Sequence, residues 1–344
     1  MMGKFIGRIL YVEAIFMLPA LLIGVYCGER QTVAGFLTSI VITLVTAFAL
    51  SFICRKAKKG FYAREGLVCV GISWIVMSLL GCLPFYFSRE IPHFIDALFE
   101  TVSGFTTTGA SILSDVEALS KGNLYWRSFT HWLGVMGVLV FVLAIGRGRE
   151  KSDGYTMHLL RAESPGPKVE KLVPKMKDSA KILYFIYIFL TVLNVIFLLI
   201  GRMPLFDAVC TAFGTAGTGG FGIRNDSIAG YSPYLQNVCT VFMLLFGVNF
   251  SCYFMLFIRQ VRNVFQDEEL RFYIGTVVCS ILFITWNIGN MYGSFSEALR
   301  HAAFQVASII TTTGFATTDF DLWPSFSKAI LLGLMIVGAC AGST

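Results

Sequence analysis

The sequence predicts an all-α membrane protein built from repeated helix–pore-loop–helix units. Three observations lead there: too little charge for a water-facing surface, apolar runs of spanning length, and a Thr/Gly-rich unit that recurs. Of the 344 residues, 56% are hydrophobic and 14% charged, with a mean hydropathy of +0.71. Soluble domains carry about 25% charged residues because their surfaces face water.

The apolar residues are gathered into runs. Ile182–Ile200 reads ILYFIYIFLTVLNVIFLLI, with Asn194 its only strongly polar side chain. Roughly 20 apolar residues cross a bilayer as a helix, so this run is a span. Comparable runs cover 9–27, 32–54, 66–87, 126–145, 238–258 and 272–288, and an eighth begins near Phe326. Backbone in lipid must satisfy its own hydrogen bonds, which makes each run a helix. The first run has a basic start (Lys4, Arg8), but no small-x-small cleavage site follows it. With the second run close behind, an anchored hairpin is expected rather than a signal peptide.

Charge orients these spans. With a cytoplasmic N-terminus, the inside segments hold 19 of the 27 Lys and Arg residues and the outside segments hold 6. That asymmetry is the positive-inside pattern. The net charge of +6 therefore reports topology, and tracts such as Arg55–Lys59 are anchors beside a span, not nucleic-acid patches. The nine cysteines lie mostly in apolar runs, without a C-x-x-C pair or Cys/His cluster, and read as small hydrophobes. No motif pairs His93, His131, His158 or His301 with a nucleophile, so an intramembrane enzyme is not expected.

The outside segments carry the repeat. Residues 94–111 read FIDALFETVSGFTTTGAS, 205–222 read LFDAVCTAFGTAGTGGFG, and 299–316 read LRHAAFQVASIITTTGFA. With Asp96, Asp207 and His301 in register, each copy reaches a glycine 13 residues later: Gly109, Gly220 and Gly314. Each copy is preceded and followed by an apolar run. A stretch of about ten mildly apolar residues is too short to cross roughly 30 Å of hydrocarbon, so it enters and returns. The Thr/Gly chain after it suits irregular backbone, which membrane depth tolerates only inside protein or along a water-filled path. Helix, half-helix, Thr-Gly loop and helix is the plan of a potassium-channel pore unit, where carbonyls replace the hydration shell of the ion. Small-residue helix packing also enriches Gly, Ser and Thr in membranes, but it does not predict this framing.

These residues resemble the Trk/Ktr/HKT superfamily of potassium transporters, and most closely its bacterial Trk-type membrane subunit. The resemblance extends beyond the repeats to WRSFTHWLGVMG at 126–137, LRAESPG at 160–166, GVNFS at 247–251, DEELR at 267–271, TTTGFATTDF at 311–320 and GACAGST at 338–344. It implies four pore repeats around a pseudo-fourfold axis, preceded by two additional helices. Here three repeats are present, the third incomplete. The expected divisions are a two-helix hairpin at 1–64, repeat 1 at 65–150, a cytoplasmic loop at 151–181, repeat 2 at 182–271 and repeat 3 at 272–344. The resemblance places a selectivity filter, with potassium as its ion, at Thr107, Thr108 and Gly109, at Thr218, Gly219 and Gly220, and at Thr312, Thr313 and Gly314. In plant relatives a serine at the first filter glycine accompanies sodium preference, and Gly109 favours potassium. An interrupted helix beneath the filter makes Gly338, Ala341, Gly342 and Ser343 gate candidates. Gly338 and Gly342 with the following Ser-Thr also fit a tight helix contact. A homodimer, a cytoplasmic nucleotide-binding regulatory subunit and a cell inner membrane location are implied as well, with no organic cofactor and no nucleic acid.

The chain stops inside its eighth run, which reads as a truncated or fragmentary product. That leaves a non-transporting fragment or assembly partner, or a sodium-permeable member of the family, as alternatives to potassium uptake. Gated channel and proton- or sodium-coupled symporter are both open. Glu13 and Arg8 are expected to snorkel or pair near the cytoplasmic end of the first run. Arg127 and His131 are expected at the membrane interface, beside an aromatic belt of Trp126 and Trp132, more than at a pore mouth. Asn249 is expected either to line a cavity or to bond between helices.

Overall fold

The computed structural model describes residues 2–56, 63–135 and 176–343, and every regular element among them is helical. The chain forms two compact units, Met1–Lys181 and Ile182–Thr344. The loop residues 160–166, His158 and the later part of the 126–145 run lie outside the described residues.

In the first unit, α1 (Met2–Cys27) and α2 (Arg30–Ile53) form the expected hairpin. Gly28 turns it at φ +74°, the left-handed conformation that glycine adopts without steric cost. The pair meets through small residues, since helices in lipid gain from close approach rather than from hydrophobic burial. A Cβ at Gly7 would lie 2.6 Å from Ser51 Oγ. α3 (Ala63–Gly81) and α4 (Leu83–Phe87) follow, and Val68–Phe87 is apolar enough to serve as one span. α4 packs on α2, where a Cβ at Gly35 would stand 2.8 Å from the Ser88 backbone nitrogen.

A re-entrant helix, α5 (Phe94–Phe105), then leads to the first Thr/Gly segment and to α6 (Lys121–Val135). At about 1.5 Å per residue, α5 is far too short to cross a bilayer. The N-terminus of α6 is held by two carboxylates from elsewhere in the unit. Glu29 accepts from the Lys121 and Gly122 amides (2.9 and 3.1 Å), and Glu90 accepts from the Ser120 amide (2.9 Å). Negative charge at the positive end of a helix dipole is stabilising, so the hairpin is fastened to the pore repeat electrostatically.

From residue 176 onward the plan is repeated twice. α7 (Met176–Ile200) leads to the re-entrant α8 (Leu205–Ala216), and α9 (Pro233–Phe246) returns. The run 238–258 is not one continuous helix: the chain breaks after Phe246, and α10 (Phe250–Phe257) leaves at 86° to α9. Asn249 makes the break, capping α10 by accepting from the Ser251 amide at 2.9 Å. A short α11 (Val261–Gln266) precedes α12 (Glu268–Ile288), the re-entrant α13 (Phe295–Ile310) and α14 (Ser325–Val337). The first turns of α5, α8 and α13 contain Asp96, Asp207 and Glu297, favourable at the positive end of each dipole. Buried hydroxyls such as Ser39, Thr43, Ser73 and Thr240 donate to the carbonyl four residues back, which satisfies them without water. Leu22, Phe48, Phe185 and Trp286 are exposed, on helices of membrane-spanning composition.

Gly35→Ala is expected to cost about 1–3 kcal/mol by overpacking against α4. Gly71→Ala, where a Cβ meets nothing within 4 Å, should be neutral or slightly stabilising. Thermal unfolding of the two variants in one detergent checks the contrast, and equal midpoints would remove the packing argument.

Candidate functional site

All three re-entrant helices end in the same way. After α5, the Thr107 amide donates to the Gly104 carbonyl (3.1 Å) and the Thr108 amide to that of Ser103 (2.9 Å). After α8, Thr218 bonds to Thr215 (3.2 Å) and Gly219 to Gly214 (3.3 Å). After α13, Thr312 bonds to Ile309 (3.0 Å) and Thr313 to Ser308 (2.9 Å). These are the paired bonds of the Schellman turn, whose first residue beyond the cap is left-handed and usually glycine. Here that residue is threonine, with φ of +54° at Thr107, +45° at Thr218 and +57° at Thr312. The other non-glycine residues with positive φ among those described (Arg89, Arg202, Ser227 and Arg259) are unbranched at Cβ. A β-branched residue held there costs about 1–3 kcal/mol and persists only when its surroundings over-determine it.

Two residues further on, Gly109, Gly220 and Gly314 return to positive φ, at +75°, +70° and +84°. The residue between stays at negative φ in every copy. In an extended strand successive carbonyls point to opposite edges, whereas alternating handedness turns them toward one. The nine residues expected from the sequence thus fall into three strands of matching backbone, although one copy reads Thr-Gly-Gly and two read Thr-Thr-Gly.

Side chains then fix each strand. Hydroxyl pairs brace two of them, Thr106 with Thr108 and Thr311 with Thr313, each at 2.8 Å. Glycines 217 and 219 occupy those places in the second. Within the second unit, the strands of repeats 2 and 3 touch so closely that a Cβ at Gly220 would fall on the Thr313 carbonyl oxygen. Beyond the glycines, the Ile228 amide donates to the Ala316 carbonyl (3.1 Å), and Ser227 Oγ accepts from the Ala316 amide (3.2 Å). Ser308 Oγ donates to the Phe315 carbonyl at 2.6 Å. Gln236 Nε2 donates to the carbonyls of Ala229 and Tyr231 (3.2 Å each). Tyr231 donates to Asp207 at 2.9 Å, and burial together with that carboxylate pushes its phenol above the usual range.

The gate candidates form a turn at the end of α14. Gly338 and Gly342 have positive φ, +69° and +89°, and the turn is bonded to the break between α9 and α10. The Cys340 amide donates to Gly247 (3.1 Å), and Gly342 accepts from the Phe250 amide (3.0 Å). Asn249 Nδ2 donates to the Ala341 carbonyl (2.6 Å) and to Glu269 (3.0 Å), while Glu269 also accepts from the Ala341 amide.

Residues 33–344 match the family described as TrkH, cation transport protein. The chain belongs to this family. It is 31% identical over 352 residues to the Trk system potassium uptake protein TrkG of Escherichia coli K12, covering 98% of this chain and 70% of that protein. To the corresponding TrkH of Salmonella typhimurium LT2 it is 37% identical over 302 residues, covering 84% of this chain and 61% of that one. The crystal structure of the potassium transporter TrkH from Vibrio parahaemolyticus superposes with a TM-score of 0.82 at 29% identity, covering all of this chain and 72% of that one. The chain thus spans from about three-fifths to seven-tenths of the length of these relatives. TrkH is a family of cation transporters, not of enzymes, and its pore-repeat architecture is the one seen here.

Some side chains of this TrkH-family chain sit where the sequence did not place them. Arg127 and Trp126 are 3% and 0% exposed. Instead of forming an interface belt, Trp126 donates its indole N–H to the Gly81 carbonyl (2.9 Å), and Arg127 pairs with Glu100 at 2.6 Å. His131 is also fully buried. Glu13 is 1% exposed, with its carboxylate beside Gly81, and does not snorkel. Asn249 bonds between helices, as one of its two expectations held. Glu100 and Glu269 were missed, although an acidic residue inside an apolar repeat or beside GVNFS was the available signal.

Alanine at Gly314 meets no atom but is strained by its positive φ, a cost of about 1–2 kcal/mol. At Gly220 the same strain is joined by collision with Thr313, so Gly220→Ala should lower the thermal midpoint further than Gly314→Ala. The reverse order would argue against the contact between the two strands.

Proposed function

We propose that this chain is a potassium-uptake membrane subunit whose three Thr/Gly strands supply the carbonyl ligands of an ion filter. The observation that carries this reading is the shared backbone: the same Schellman start and the same alternation of φ recur on different side chains. Carbonyls ranged along one edge can replace water around a weakly hydrated monovalent cation. Each strand begins at a helix C-terminus, where the partial negative charge of the dipole favours that cation. The relatives' printed names, potassium uptake protein and potassium transporter, support the choice of ion. The positive-inside pattern supports a cytoplasmic N-terminus in a cell inner membrane. A homodimer working with a cytoplasmic nucleotide-binding regulatory subunit rests on the family resemblance.

Potassium-tracer uptake into proteoliposomes, with sodium as competitor, tests the filter. Selective uptake is expected, with loss of ion discrimination when Gly109 or Gly314 is replaced by leucine. A parent chain that prefers neither ion, in uptake or in thermal protection, would refute the assignment.

The turn at Gly338–Ser343 is proposed as the constriction below the filter. Its hydrogen bonds to Asn249 and Glu269 support this, because they fix an irregular segment that otherwise exposes backbone at membrane depth. Glu269→Ala removes the acceptor of both Ala341 and Asn249. A rise in uptake of about tenfold or more at unchanged ion preference is expected, since each of the two lost hydrogen bonds to a charged group is worth about 1.5–3 kcal/mol. Unchanged uptake with the protein still folded would dismiss the turn as a gate.

A further inference from the structure

We propose that Glu100 and Arg127 form a specificity-determining positioning pair for the first filter strand, an inference that rests on the filter reading above. Glu100 lies on α5, 1% exposed, and Arg127 on α6, 3% exposed, with Arg127 Nε 2.6 Å from Glu100 Oε1. The carboxylate is not spent on the arginine alone. Ser111 Oγ donates to both of its oxygens (2.9 and 3.1 Å), and the Ile112 amide donates to Oε2 at 3.1 Å. Ser111 and Ile112 follow Gly109 by two and three residues, so Glu100 holds the strand just beyond its last left-handed residue.

The other end is already fixed, because Thr107 and Thr108 are tied to the end of α5 by the Schellman bonds. The carbonyls between these two anchors cannot move inward without breaking one of them. A cage that resists contraction penalises a smaller ion, which needs shorter contacts, more than a larger one. Arg127 acts through Glu100. It pairs with the carboxylate and aims it within a buried site, where removing one partner of an ion pair is strongly unfavourable, and hydrogen bonds within ion pairs are shorter and stronger than neutral ones. The register equivalents of Glu100 in the other repeats are Thr211 and Gln305, which carry no charge. The strand of repeat 3 is held beyond its glycine by neutral contacts from Ser227 and Ser308 instead. The first strand is therefore anchored by an ion pair where the third is anchored by hydroxyls.

The test uses the full chain in proteoliposomes and measures potassium against sodium tracer uptake for the parent, Glu100→Gln, Arg127→Lys and the double variant Glu100→Gln/Arg127→Met. The double variant removes the charge pair without stranding either charge, so it guards against simple misfolding. Glu100→Gln and the double variant should lower the potassium-to-sodium ratio by about tenfold, the scale of one lost hydrogen bond to a charged group. Arg127→Lys, which keeps the charge, should retain most of the ratio. The same ranking is read independently from the thermal midpoint in potassium against sodium. A merely structural pair would lower the yield of folded protein and leave the ratio alone, and that result overturns the proposal while the filter reading stands. A parent without ion preference in either measurement overturns both.

Discussion

Every pore repeat in this chain turns on one local constraint: a helix must end inside the membrane with its last carbonyls satisfied. Lipid supplies no donors, so the following residues have to donate back into the helix. The Schellman turn does so with two amides, and it forces the next residue into the left-handed region. Glycine would be the inexpensive choice, as Gly28 shows at the end of α1. The re-entrant helices place threonine there instead. Strain kept at three matching positions, with the helix dipole aimed at the same spot, marks where the rest of each repeat is anchored.

What surrounds those turns differs between repeats, and the difference follows from what each turn must lean on. In the second unit the strands of repeats 2 and 3 support one another through Gly220, Ser227 and Ile228. In the first unit the strand is held by Glu100, and Gly134 of α6 lies against the Phe105 carbonyl, where a Cβ would collide with it. The break after α9 is also tied to the third Thr/Gly segment. A Cβ at Gly247 would lie 2.7 Å from the Thr311 methyl group, and the Gly247 carbonyl accepts from the Cys340 amide in the turn after α14. Thr311 caps α13 and shares a hydrogen bond with Thr313. A path of contacts therefore runs from the third Thr/Gly segment to the turn that ends α14.

The features written in local spacing were legible in the sequence. The 13-residue interval from Asp96, Asp207 and His301 leads in each copy to a glycine with positive φ, because a half-helix has a fixed length and the backbone needs glycine at one place. The hairpin of α1 and α2 was legible for the same reason. Features that depend on partners distant in sequence were not. The run 238–258 is apolar apart from Thr240, Asn249 and Ser251, and hydropathy does not register that Asn249 caps a new helix and bonds Ala341, 92 residues away. Arg127 between two tryptophans imitates an interface anchor, and only Glu100, 27 residues earlier on another helix, shows it to be a core residue. Glu13 misled in the same manner, since its position along α1 suggested water within reach.

The second repeat separates what the three Thr/Gly segments share from what they do not. Thr106 with Thr108 and Thr311 with Thr313 pair their hydroxyls, but the second copy has Gly217 and Gly219 in those places. Its backbone nonetheless follows the same alternation, with Thr218 and Gly220 at positive φ. The hydroxyl pairs are therefore supports for the conformation and not its cause. They stiffen strands that carry threonine, whereas the second is held by the third strand pressed against Gly220. If an ion is selected here, it is selected by main-chain carbonyls, the one set of ligands present in all three copies. Side chains such as Glu100 and Ser308 then matter through the distances they impose on that main chain.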